Sequence, residues 1–248
     1  MKKIISLLLT ALLLLGLCAC SGKPAPSASA SPTEALKTEA PVETEVAQPE
    51  SEATSAAETP AAEMEPVEEA APGTKILVVF FSRTGEQYNV GVIDEGNTAI
   101  AAKMIAEVTG ADLYEILPEQ DCYPYTYSEL TDVAKKEQNE NARPAIKGEM
   151  PDLAQYDTVF IGAPVWWGDW PMILYTFFEE NAEAMKGKTL IPFCTHEGSG
   201  LSGFDKKLQK ACPDSTVLKG LAIRGTDCQN DKTGVEGKVT NWLSEIGY

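Results

Sequence analysis

Hydrophobic and polar positions follow two alternating periods along the last two-thirds of the chain. Short apolar runs rich in β-branched and aromatic residues recur, each followed by a stretch with the 3.6-residue period of a helix. The first run, Ile76–Ser82, opens ILVVFF with no polar interruption, as expected of a strand buried on both faces. A helix is predicted from Asn97, a good N-cap, to Thr109, with Ile100, Met104, Ile105 and Val108 on one face and Gly110 ending it. Strand two is predicted at Asp112–Leu117, closed by Pro118, and the polar stretch Glu119–Met150 follows with a solvated helix over Ser128–Asn141. Strand three covers Thr158–Ala163, and Pro171 suits the first turn of a helix running to Glu180. Strand four is Thr189–Cys194, a fourth helix Gly203–Ala211 and strand five Val217–Ile223. The last helix, Val235–Ile246, turns Val239, Trp242, Leu243 and Ile246 inward.

Strands alternating with helices predict the α/β class: one doubly wound domain from Thr74 to Tyr248 with a five-stranded parallel sheet in a three-layer α/β/α sandwich. No internal repeat is visible. The rest of the chain has a different composition. Lys2 and Lys3 precede an apolar run from Ile4 to Leu17, which then meets Leu17-Cys18-Ala19-Cys20. This is the layout of an export signal, and the run is shorter than the ~20 residues a membrane span needs. The Leu-Cys-Ala-Cys end resembles a bacterial lipobox, which implies cleavage after residue 19, lipidation of Cys20 and an extracytoplasmic, membrane-anchored protein. Ordinary signal cleavage and secretion is the alternative. Ser21–Gly73 is built of Pro, Ala, Ser, Thr and Glu, with 11 Glu, two Lys and no aromatic residue. Such a segment lacks the apolar surface to offset its ordering entropy, and a disordered linker is expected.

Charge narrows the partners. The full chain carries −17, and residues 74–248 alone hold 26 acids against 16 bases. That surface repels the phosphates of a nucleic acid, and none is expected as a partner. Four cysteines, Cys122, Cys194, Cys212 and Cys228, lie in the folded part without a C-x-x-C pair. Their pairing is left open, since four cysteines allow three connectivities, and buried or singly paired thiols are the simpler expectation. No metal site is suggested, because His196 is the only histidine.

Ligands of open α/β sheets bind beyond the carboxyl ends of the strands. Three loops fall there. After strand one come Ser82, Arg83, Thr84 and Gly85, with Gly96, Asn97 and Thr98 at the following helix start. Hydroxyls, amides and glycines at a helix N-terminus suit an anion. No G-x-x-x-x-G-K-[ST] and no G-x-G-x-x-G is present, so a lone terminal phosphate fits better than a nucleoside triphosphate or a dinucleotide. After strand three come Pro164, Val165, Trp166, Trp167, Gly168 and Trp170. After strand four come Thr195, His196, Glu197, Gly198, Ser199 and Gly200. A phosphate cradle, a flat aromatic wall and a tight glycine turn describe a site for a planar heterocycle bearing one phosphate. Trp170 is expected in the core or at the rim. Ser199 is not a hydrolase nucleophile, because G-x-S-x-G would need Gly at 197.

These loops resemble those of the flavodoxin family, over about Lys75–Tyr248. The resemblance implies strand order 2-1-3-4-5 and an FMN cofactor. Ser82, Arg83, Thr84, Gly85, Asn97 and Thr98 would hold the phosphate; Pro164, Val165, Trp166, Trp167 and Gly168 would flank the ring. Thr195, His196, Gly198, Ser199 and Gly200 would line its pyrimidine side. Two features depart from the family. Glu86–Glu95 separates the phosphate residues from the helix, and Tyr88–Ile93 within it could form a small hairpin over the site. Thr195-His196-Glu197 stands where an aromatic is usual, with His196 as the leading substitute. Response regulators share the topology, but strand one ends Phe81-Ser82 and strand three Ala163-Pro164, where those proteins need acids. The implied function is an electron carrier exchanging electrons with a redox protein or a small molecule. An NAD(P)H-dependent flavin or quinone reductase and a flavin-free binding lipoprotein are the alternatives.

Overall fold

Each apolar run pairs with its neighbours into one parallel sheet. In the computed structural model, which describes residues 75–121 and 123–248, the strands are β1 (Ile76–Phe80), β4 (Asp112–Glu115), β5 (Thr158–Pro164), β6 (Thr189–His196), β7 (Thr216–Val217) and β8 (Leu221–Arg224). Between β1 and β4 a separate antiparallel hairpin joins β2 (Gly85–Gln87) to β3 (Gly91–Ile93). The helices are α1 (Asn97–Thr109), α2 (Tyr127–Glu140), α3 (Met172–Glu180), α4 (Phe204–Ala211), α5 (Gly225–Asn230) and α6 (Lys232–Glu245). The export signal, Cys20, the Ser21–Gly73 linker and Cys122 lie outside the described residues. Among the described residues, no helix is long and apolar enough to cross a membrane.

The order is β4-β1-β5-β6-β7, with β8 also on β6. This is the expected five-position parallel sheet, with its last position divided in two. The division falls opposite Pro192 of β6, which has no N–H for the ladder. Gly220 passes so close that a Cβ there would lie 2.7 Å from the Pro192 carbonyl oxygen. Elsewhere the boundaries shift by a few residues: β1 ends before Phe81, β4 stops at Glu115, and β5 and β6 run on to Pro164 and His196. The short helix α5 is an addition to the predicted set.

Side-chain alternation divides the core. Leu77, Val79, Phe81, Val159 and Ile161 face α2, α3 and α4, packing with Leu130, Ile173, Phe177 and Leu208. Val78, Phe80, Phe160, Ile191 and Phe193 face α1 and α6, packing with Ile100, Ile105, Val239 and Leu243. Period-two strands thus feed both layers from one sheet. Gly162 of β5 is required by that packing, since a Cβ would stand 2.0 Å from the Phe193 ring. Cys194, Cys212 and Cys228 are free and buried, and burial pushes their thiols up to about 12, 11 and 12.

Candidate functional site

The strand order reverses at β1, with β4 on one side and β5 on the other, so the crevice at its carboxyl end is the topological switch point. The two segments expected to hold a phosphate, Ser82–Gly85 and Gly96–Thr98, meet there. Ser82 Oγ accepts from the Ala99 N–H at 3.0 Å, capping α1 from outside the helix. Gly96 is the N-cap residue, and a Cβ on it would stand 2.2 Å from Ser82 Oγ and 3.0 Å from Arg83 N. Only glycine lets the helix start close on the strand end.

Asn97, expected as the N-cap, is the first helical residue instead, and its Oδ1 accepts from Gln229 Nε2 at 2.8 Å. Among the described residues nothing accepts from the N–H groups of Arg83, Thr84, Asn97 or Thr98. Backbone donors therefore remain on both sides of this junction. Thr98 Oγ1 lies 2.8 Å from Thr195 Oγ1, tying α1 to the end of β6, and both residues are buried. Arg83 turns to a different task. Its Nη2 donates to the carbonyls of Tyr123 (2.7 Å) and Pro124 (3.2 Å), and Asp121 lies 3.6 Å from Nη1. Its guanidinium anchors the loop before α2.

The aromatic turn after β5 is set by backbone geometry. Trp166 and Asp169 exchange backbone hydrogen bonds at 3.0 and 2.9 Å. Trp167 (φ 49°) and Gly168 (φ 72°) occupy the two corner positions, the left-handed pair of a type I′ turn. Trp166 is half-buried and meets Phe81 and Tyr123 edge-on at 5.4 and 5.2 Å. Trp167 is 54 % exposed and lies along α2, where Nε1 donates to the Thr131 carbonyl at 2.9 Å and Lys135 Nζ stands 5.0 Å from the ring centre. Trp170 is core, 1 % exposed and stacked on Phe204 at 3.7 Å.

A cavity of about 480 Å³ opens between these elements. Of the predicted residues it is lined by Asn97, Pro164, Val165, Trp166, Trp167, Thr195, His196 and Ser199. Ser82, Arg83, Thr84, Gly85, Thr98, Gly168, Gly198 and Gly200 stand outside that lining. His196 Nδ1 accepts from the Gly198 N–H at 2.9 Å, so its proton sits on Nε2. Burial is the largest influence on the ring and lowers its pKa below 6.5, which keeps it neutral at pH 7.

The lining takes further residues from the expected hairpin and from the Thr195–Gly200 loop, and others that the sequence did not single out. Gln87, Tyr88 and Val90 come from the hairpin, Tyr127, Leu130, Thr131 and Ala134 from α2, and Glu197 and Gly225 from the β6 and β8 ends. A hairpin is present but is not confined to Tyr88–Ile93 as expected: its first strand, Gly85–Gln87, precedes that stretch, and Tyr88–Val90 form the turn to Gly91–Ile93. Spacing along α2 (127, 130, 131, 134) carried a usable signal, a single helical face in a segment read as solvated. Glu197 accepts from Thr226 N–H and Oγ1 at 2.6 and 2.9 Å, capping the missed helix α5.

Helix start, aromatic turn and loop after β6 converge on one switch-point crevice, where doubly wound α/β sheets form their ligand clefts. The chain belongs to the flavodoxin family, which its residues 75–246 match. A crystal structure of a candidate flavoprotein from Bacteroides eggerthii DSM 20697 is 34% identical, with TM-score 0.54, covering 71% of this chain and 99% of that one. A second, from Bacteroides uniformis ATCC 8492, is 33% identical with TM-score 0.53, covering 69% and 99%. No curated protein matches the chain.

Proposed function

We propose that this domain binds FMN and carries electrons, held outside the cytoplasmic membrane by a lipid on Cys20. The observation that carries the reading is the junction of Ser82 with Gly96-Asn97-Thr98 beside a cavity walled by Trp166, Thr195 and His196. The residues fit the group. Backbone N–H groups unengaged among the described residues, at the strand end (Arg83, Thr84) and at the helix start (Asn97, Thr98), suit a phosphate together with the Thr84 hydroxyl, and the Gly96 contact gives them one tight locus. Trp166, fixed by Phe81 and Tyr123, presents an aromatic surface for a planar ring. Val165 N–H is already committed to the Thr195 carbonyl at 2.9 Å, which ties the turn after β5 to β6. His196 offers a neutral Nε2–H donor at the ring end.

FMN, when bound, supplies reversible one- and two-electron transfer. The chain's part is to bind, orient and set the electrostatic setting. Residues 74–248 carry a net of −10, which opposes added negative charge in the crevice and favours a low potential. The test is the visible spectrum of the chain from Ser21 onward after mixing with FMN and desalting. A retained yellow chromophore at one equivalent supports the reading; a colourless protein removes it. Labelling of expressing cells with a radioactive fatty acid, lost in Cys20→Ser, tests the anchor.

A further inference from the structure

The cavity has two walls of different origin. One stands on strand ends: Pro164, Val165, Trp166, Thr195 and His196. The other stands on the hairpin and α2: Tyr88, Val90, Tyr127, Leu130 and Ala134. On this second wall Tyr88 and Tyr127 stack at 5.5 Å with their planes 29° apart. Both rings are exposed, Tyr88 by 53 %. The stack is not needed to hold the hairpin in place. Glu86 does that, its Oε2 accepting from the Tyr127 N–H at 2.9 Å and its N–H donating to the Tyr125 carbonyl at 3.0 Å. Gly85 also abuts Tyr125, where a Cβ would lie 2.8 Å from the carbonyl oxygen.

We propose that the hairpin–α2 wall is a second subsite, for a planar, uncharged aromatic acceptor of the quinone class. The inference rests on the flavin reading in that the flavin is placed on the strand-end wall. Charge selects the class. Glu197 is the one charged side chain in the lining, and Thr226 and Arg224 already engage it. No Lys or Arg among the described residues lines the cavity to meet a pyrophosphate, and the domain's net charge repels one. A dinucleotide is therefore a poor occupant, whereas a neutral ring needs only flat apolar area and a donor for its carbonyl. The Tyr127 hydroxyl is such a donor, and partial burial, which raises its pKa, keeps it protonated.

The test is calorimetric titration of the Ser21-onward chain with menadione, with and without saturating oxidised FMN. Saturable binding that persists at saturating FMN, and weakens roughly three- to tenfold in Tyr88→Ser, is the expected result. Three results overturn the subsite: displacement of menadione by FMN, an affinity unchanged in Tyr88→Ser, or no saturable binding. NAD+ binding as tightly as menadione overturns the chemical class. If FMN itself does not bind, the flavin reading falls, yet menadione binding that is weakened by Tyr88→Ser still supports this wall as an aromatic subsite.

Discussion

On one side of the cavity the lining residues stand on the ends of β5 and β6, whose preceding positions, such as Val159, Ile161 and Leu190, are fully buried. On the other they stand on two three-residue strands and on a helix that buries only Leu130 and Ala134. A side chain on a buried strand end inherits the rigidity of a packed sheet. One on a marginal hairpin is held by a few local bonds, here those of Glu86. The first wall can define a geometry common to a family. The second can change its chemistry without disturbing the core, which is how binding surfaces diversify on a fixed fold.

This contrast can be broken by substitution, beginning with the two tryptophans of the aromatic turn that differ most. Trp170→Ala removes a ring packed between Phe204 and Phe178. It should lower stability by about 3–5 kcal/mol, read as a shifted urea midpoint. A loss under about 1 kcal/mol would mean that this side of the sheet is not the rigid one.

The Thr98–Thr195 hydroxyl pair is the next largest effect. Each single replacement by Val strands a buried hydroxyl and should cost about 1–3 kcal/mol. The double replacement should cost clearly less than the sum, because neither partner is then left alone. Additive losses from the same unfolding series would show that the pair does not join α1 to β6.

Trp167→Ala probes the one side chain that reaches from the strand-end turn onto the helix of the second wall. Exposed by half, with one indole hydrogen bond and the ammonium of Lys135 over its ring, Trp167 should contribute about 0.5–1 kcal/mol to stability. Its removal should be felt more in the affinity for a planar ligand than in the urea midpoint. The reverse ranking would make Trp167 a structural residue of α2.

The smallest effect is on pH dependence. His196 has a folded pKa below its unfolded 6.5, so the unfolded chain binds more protons between those values. Its contribution to stability is complete above pH 6.5 and is lost as pH falls through the folded pKa. His196→Gln should flatten the stability profile on the acid side of pH 6.5 and leave it unchanged above. An equal slope in both proteins below that pH would contradict the burial of the ring.

The parallel sheet was legible because runs such as ILVVFF and TVFIGA admit few arrangements other than a strand covered on both faces. Its break at Leu218–Gly220 was not, since the cause is Pro192, a neighbour in space some two dozen residues earlier in sequence. The site divides likewise. Trp166, Thr195 and His196 announce themselves by position at strand ends. Tyr127, Leu130, Thr131 and Ala134 lie in a polar stretch, and only the hairpin opposite gives their shared face a purpose. Arg83 is a warning in the other direction, a cation in the right loop whose carbonyl partners, at Tyr123 and Pro124, lie 40 and 41 residues away.

Local physical chemistry, carried by the chain alone, places the strands of the parallel sheet to within a few residues, the glycines at helix starts and turns, and the hydroxyls and tryptophans at its strand ends. Tertiary structure decides the rest: that Ser82 rather than Asn97 caps α1, that the Arg83 guanidinium bonds the loop before α2, and that an inserted hairpin closes one side of the cavity with a tyrosine stack. The reason is range. Propensity and periodicity act over one or two turns, whereas a cap, an anchor or a cavity wall depends on which distant backbone groups the sheet brings within hydrogen-bonding distance.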